Sequence, residues 1–280
     1  MQIRRADASN RASLIERLRR EPARHAVVLQ DLLLWFEESR FHFVETPAGL
    51  SYLHVSGHPA HQRRHPVIIL DGEPAEVEAL LRFVAPPAPF VVRETSDLHT
   101  SALREYFPEA RFYFEQRMDL AKERFRPAHR GFAREMTPED APALARFMGA
   151  PPAAAPALLG WIQGAEAFLG VFENDALIAV GSSFVTLPEV WTLIGIETHP
   201  RSRGRGFATE ITSNLVEIAL RETPLVSLTA VSDNVPAVKI YERLGFQRTQ
   251  GRLWADCGAG SAPDASSSPA PAAPPAPPES

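Results

Sequence analysis

Residues 201–210 read RSRGRGFATE and lie between an apolar run, VWTLIGIETHP, and an amphipathic one, ITSNLVEIAL. The first run is rich in β-branched residues and reads as a strand. In the second, Ala208, Ile211, Leu215, Ile218 and Ala219 recur at helical spacing and define one apolar face. The glycines therefore sit where a strand hands over to the first turn of a packed helix, which demands an α/β arrangement. A helix start offers free N–H groups and partial positive charge. Gly204 and Gly206 permit close backbone approach and positive φ, and Arg203 and Arg205 add guanidinium forks that match phosphate oxygens. Together they describe a pyrophosphate site. Taken alone, the stretch also reads as a solvated arginine loop. It is not a P-loop, because Phe207 and Ala208 stand where lysine and Ser/Thr belong. Nor is it a dinucleotide fingerprint, because Thr209 stands where the third glycine belongs.

An anion site here has to be local, since the 280-residue chain carries a net charge of −5. No basic field favours nucleic acid or an anionic membrane. With 45% hydrophobic and 22% charged residues the chain has an ordinary globular composition. One cysteine, Cys257, excludes an internal disulfide and a multi-thiolate zinc site. No metal is expected. The N-terminus lacks the apolar segment of a signal peptide, no apolar run is long enough to span a membrane, and a cytoplasmic location fits.

Three segments are expected: an α/β domain over 1–125, a second domain over 131–257 and a disordered Pro/Ala/Ser tail over 258–280, with KERFRPAHR marking the first boundary. In the first, two helices broken near Pro22 precede a hairpin (FHFVET, LSYLHVSG), a buried strand (HPVIILDG), a helix (EPAEVEALLRFVA) and two further strands. This domain has no glycine-rich loop or cluster of catalytic residue types, and reads as scaffold, substrate wall or the surface of a homodimer. In the second, Thr137 reads as the N-cap of a helix opened by Pro138, Glu139 and Asp140. APALLGWIQG follows as a short helix, then two strands turning at Asn174-Asp175, the VWTLIGIET strand, the glycine corner and its helix, a strand (LVSLTAV), a helix (VPAVKIYERLG) and a short strand pair, FQRT and RLWAD.

The run Arg203-Gly204-Arg205-Gly206-Phe207-Ala208 resembles the (Arg/Gln)-x-x-Gly-x-(Gly/Ala) loop of the GNAT superfamily of acetyl-CoA-dependent N-acetyltransferases. SDNVPAVKIYERLGF resembles a second family segment at Asn234, Ala237, Tyr241, Glu242, Gly245 and Phe246. The close match covers about residues 190–250, with the general layout reaching back to about 131. The first 120 or so residues are only vaguely similar and fit a degenerate tandem copy. The resemblance implies a mixed α/β sheet, with a GNAT-type acetyltransferase domain preceded by a smaller α/β domain.

It also implies that acetyl-CoA is the co-substrate and an amine the acceptor; on charge and hydropathy no nucleic-acid or membrane partner is expected. The diphosphate would lie on Arg203 to Ala208, and the pantetheine arm would pair with the main chain of Ile196, Glu197 and Thr198 as an added strand. A backbone N–H there would polarise the thioester carbonyl. Tyr241 would protonate the departing thiolate; its other reading is a core aromatic. Asn234 reads as an N-cap, as a contact to the cofactor arm, or as both. Glu197 is the leading base, with Glu189 and His199 as alternatives, although it also reads as a salt-bridged carboxylate at a strand end. Simple alternation puts Thr192 and Glu197 on opposite faces, and the bulge usual in this family's strand would bring them to one. The function expected is transfer of an acetyl group to a primary amine by direct attack. The alternative is a non-catalytic acyl-CoA sensor of the same fold.

Overall fold

The computed structural model describes residues 1–47, 49–62 and 65–258. The expected disordered tail, apart from Gly258, lies outside them. The first elements are β1 (Arg4–Arg5), α1 (Arg11–Leu18), α2 (Ala26–Leu34), β2 (Arg40–Thr46), β3 (Gly49–Val55), α3 (Pro59–Gln62) and β4 (Val67–Asp71). Next come α4 (Pro74–Val84), β5 (Phe90–Thr95), α5 (Thr100–Tyr106), β6 (Arg111–Ala121), β7 (Ala133–Glu135), α6 (Ala141–Phe147) and α7 (Ala155–Gly164). The chain continues with β8 (Phe168–Glu173), β9 (Ala176–Leu187), β10 (Val190–Thr198), α8 (Phe207–Glu222), β11 (Leu225–Val231), α9 (Val235–Leu244) and β12 (Gln247–Cys257). The contacts divide them into two compact units, Met1–Arg117 with the segment from Thr249, and Met118–Arg248.

In the first unit the strand order is β1-β2-β3-β4-β5-β12. The β2–β3 hairpin runs in register from Arg40↔Val55 to Thr46↔Gly49, β4 pairs with β5 in parallel, and α4 packs Val77, Leu80 and Leu81 into the core. Helix α5 has no counterpart among the expected elements, because it buries only Ala102 and Leu103 and so carries no helical period of apolar residues. The expected strand pair FQRT and RLWAD is one continuous strand, β12, and from Thr249 onward it groups with the N-terminal residues. The cause is its period of two. Leu253, Ala255 and Cys257 all enter the core that holds Phe90 and Val92, while the buried Arg252 donates to the Arg24 carbonyl at 2.9 Å.

In the second unit the order is β11-β10-β9-β8-β7. Asn174 and Asp175 both adopt positive φ, 47° and 61°, the signature of a tight primed turn whose twist matches the flanking strands. Adjacent residues of β9 serve different cores: Val180 joins α6 and α7 residues such as Leu144 and Trp161, and Ala179 joins α8 and α9 residues such as Ile211 and Tyr241. The helices therefore cover both faces of this sheet. Thr137 precedes a 3-10 turn, Pro138–Asp140, before α6 begins, and its N–H donates to the Asp140 carboxylate at 2.8 Å.

Candidate active site

The site is built where β10 ends and α8 begins. Strand β10 pairs with β11 only from Trp191↔Val226 to Leu193↔Leu228, although both strands continue beyond those residues. On its other edge β10 stays with β9, and between Ile194↔Ser182 and Glu197↔Val180 it carries one extra residue. Gly195, at φ 62°, is the left-handed residue of this bulge, a conformation open to glycine at little cost. The family resemblance implies a bulge in this strand, and the backbone assigns it to Gly195.

Cross-strand partners give the faces. Trp191 and Leu193 pack in the core with α8, and Ile196 packs against the same core. Thr192, lying between the first two, has the opposite face, and Glu197 stands opposite Val180 of the α6–α7 core. Thr192 and Glu197 therefore share a face. The Thr192 hydroxyl oxygen accepts from the Val185 N–H at 3.0 Å, so it is engaged within the sheet. Beyond Leu193 the β11-facing edge of β10 has no strand ladder among the described residues. An extended arm would find main-chain partners there.

The corner follows through a 3-10 turn, Pro200–Ser202. Gly204 and Gly206 have φ 77° and 88°, and Gly206 is the residue before the first turn of the 16-residue α8. Its left-handed backbone aims the chain into the helix without a side chain over the free N–H groups. The buried stripe of α8 includes Phe207, Ile211, Leu215, Val216, Ala219 and Leu220. Of the expected stripe, Ala208 and Ile218 are half-buried.

The two loop arginines are placed differently. Nε of Arg203 donates to the Thr198 carbonyl at 3.3 Å. Arg205 makes a two-pronged ion pair with Glu173, one prong at 2.8 Å, and lies over the Phe207 ring at 4.7 Å. These hydrogen bonds hold the Glu173 carboxyl below its ordinary range and raise Arg205.

Sequence reasoning missed Glu210. At 1% exposure, its carboxylate accepts the N–H groups of Arg130, Gly131 and Phe132, the last two at 3.0 Å, and a longer one from Ala133 at 3.4 Å. Four main-chain donors make a buried carboxylate tolerable, and they tie the segment before β7 to the first turn of α8. An acid in a helix's first turn reads as ordinary dipole complementation, so the sequence held no signal of this burial.

Tyr241 lies on α9 and is 6% exposed. Burial pushes its hydroxyl pKa up to about 12, which keeps it a proton donor across the neutral range. It packs in the same core as Phe207 and Val226, and Ile196 borders that core. Asn234 caps α9 by accepting the Ala237 N–H at 3.3 Å. Gly245, at φ 107°, ends the helix, and a Cβ there would stand 2.1 Å from the Arg124 carbonyl oxygen. His199 accepts the Arg201 N–H at 3.3 Å.

Comparisons with known proteins agree with this layout. Residues 119–246 match the model of the acetyltransferase (GNAT) family. No curated protein sequence matches the chain. Among solved structures, a Drosophila protein is similar at 14% identity and TM-score 0.72, over 92% of this chain and 99% of its own. A GCN5-related N-acetyltransferase from Kribbella flavida is similar at 16% identity and TM-score 0.58, over 85% and 95%. A tandem GNAT protein from the clavulanic acid biosynthesis pathway is similar at 15% identity and TM-score 0.55, over 94% and 100%. At such identities the likeness is one of fold, and it runs through both units. With its glycine corner, bulged strand and Tyr241 helix in family order, this chain carries an acetyltransferase (GNAT) family domain over residues 119–246, preceded by an α/β N-terminal part that the likeness in fold also covers.

Proposed function

We propose that this protein is an acetyl-CoA-dependent N-acetyltransferase that passes the acetyl group directly to a primary amine bound beside it. The observation that carries the reading is the bulge at Gly195, which sits on the strand that leads into the glycine corner. Beyond the bulge, Ile196 to Thr198 run past the point where β11 stops pairing with β10, and on that edge the pantetheine arm would add as a strand and an N–H would hold the oxyanion.

In this reading the backbone of Arg203 to Ala208 and the start of α8 bind the diphosphate. Asn234 shapes the start of α9 and borders the arm. Glu197, on the Thr192 face of β10, takes the proton from the attacking ammonium, directly or through water. Nitrogen attacks the thioester carbon, the tetrahedral intermediate collapses, and the carbon–sulfur bond breaks as the Tyr241 hydroxyl delivers its proton to sulfur. The protein is read as a cytoplasmic enzyme that needs no metal.

The test pairs calorimetry with thiol release. Wild-type protein is expected to bind acetyl-CoA and to release thiol with at least one member of a mixed amine pool. Tyr241→Phe is expected to keep the affinity and lose about 100-fold or more in turnover. Binding without turnover on any amine would favour the sensor reading. Absence of binding would refute both.

A further inference from the structure

Beside the glycine corner, within the second unit, lies a hollow of about 280 Å³ lined by Arg130, Phe132, Phe172, Glu173, Arg205 and Phe207. This is close to the lower end of ligand pockets, roughly 300 Å³, and suits one portion of a larger molecule. Three features give it a chemistry. Arg205 already spends its charge on Glu173, so the loop's own guanidinium is a poor phosphate partner unless that pair opens. The Arg130 guanidinium lies 3.6 to 3.8 Å from where a Cβ on Gly206 would stand, and it makes no ion pair among the described residues. Its main chain is anchored, because the Arg130 N–H donates to the buried Glu210 carboxylate. Third, Phe132 is 54% exposed, and the same carboxylate fixes its backbone at 3.0 Å. Its ring meets Phe207 edge-on, with centroids 6.1 Å apart.

We infer that this hollow receives the nucleotide end of the cofactor, with Arg130 on the phosphate next to Gly206 and Phe132 as the platform for the purine. This rests on the acetyl-CoA reading above and extends it to two residues outside the glycine corner. The corner supplies backbone donors, and the Glu210-anchored segment supplies the free cation and the stacking surface. Glu173 then has a second role, since its pair with Arg205 keeps that side chain folded over Phe207 and leaves the approach to Gly206 to Arg130.

The experiment measures Kd by calorimetry for wild type, Arg130→Ala, Phe132→Ala and Arg205→Ala. One ligand is acetyl-CoA, and the other is S-acetyl-4′-phosphopantetheine, which keeps a phosphate and lacks adenosine. Phe132→Ala is expected to weaken acetyl-CoA about tenfold and leave the shortened thioester unaffected. Arg130→Ala is expected to weaken both, and by more than Arg205→Ala does. The inference is overturned if Phe132→Ala binds acetyl-CoA as wild type does, if it loses equally on both ligands, or if Arg205→Ala is the more damaging arginine variant. All of these presuppose wild-type binding. Wild-type protein that takes up no acetyl-CoA would instead refute the underlying reading and this one with it.

Discussion

Glu210 shows how much one side chain can organise. Its carboxylate sits at the start of α8 and is satisfied by main-chain donors from the segment before β7, together with Nδ2 of Asn214 at 3.3 Å. Removing it would take a charged acceptor away from four main-chain N–H groups at once, and a hydrogen bond to a charged group contributes roughly 1.5–3 kcal/mol. Glu210→Ala is therefore expected to lower the urea midpoint by the equivalent of about 2–4 kcal/mol. Glu210→Gln, which can keep its oxygen toward the Gly131, Phe132 and Ala133 N–H groups while turning its amide donor on the Arg130 N–H, is expected to fall between Glu210→Ala and wild type. A wild-type midpoint in Glu210→Ala would show that the segment is held by other contacts. The residue is legible in the sequence only as an acid near a helix start, because burial by a segment 80 residues earlier leaves no local pattern.

At the scale of elements, β12 is the informative case. Its three alternating core residues serve the first unit although the strand follows the last helix of the second. A chain ending at Phe246 would leave the N-terminal core without Leu253, Ala255 and Cys257. It is expected to lose the cooperative melt of the first unit, whereas a chain ending at Gly258 melts as the full protein does. The thiol of Cys257 offers a second readout. It is 1% exposed, and burial pushes its pKa up to about 12, so native protein is expected to resist alkylation until the first unit opens. Rapid labelling of folded protein at neutral pH would contradict this packing. The sequence held the alternation of this strand in plain view; which neighbour it pairs with depends on a partner, β5, more than 150 residues earlier.

At the scale of the whole molecule, buried histidines are concentrated in the first unit. His25, His54, His58 and His99 are all under 9% exposed. Desolvation lowers the pKa of His25 to about 3, His58 to about 4 and the neighbouring His61 to about 3. The positive charges of Arg24 and Arg252 add to the effect at His25, and Asp31 opposes it at His58 and His61. In the unfolded chain these groups titrate near 6.5. Between about pH 6.5 and 3 the unfolded state thus binds more protons than the folded one, and stability falls as pH falls through that window. Each histidine contributes up to about 1.4 kcal/mol per pH unit. The Tm is expected to drop steadily from pH 7 to pH 5. The loss should register first in the fluorescence of Trp35, whose ring lies 4.3 Å from that of His58. A Tm that is flat over this range would show that the histidines are not buried in the neutral form.

Short-range pattern was enough to locate the strands and helices around residues 201–246, the primed turn at Asn174-Asp175, the caps of α9 and the glycine corner. Each of these depends on residues within a few positions of one another: a helical period, a left-handed glycine, a proline in a first turn. Only the tertiary structure decided that Arg205 is claimed by Glu173, that Arg130 and Phe132 stand beside the corner, that Glu210 is buried, and that β12 completes the N-terminal core. These outcomes depend on contacts between residues 32 to more than 150 positions apart. Ion pairing, desolvation and strand pairing act through space, and the order of residues along the chain records such distances only after it has folded.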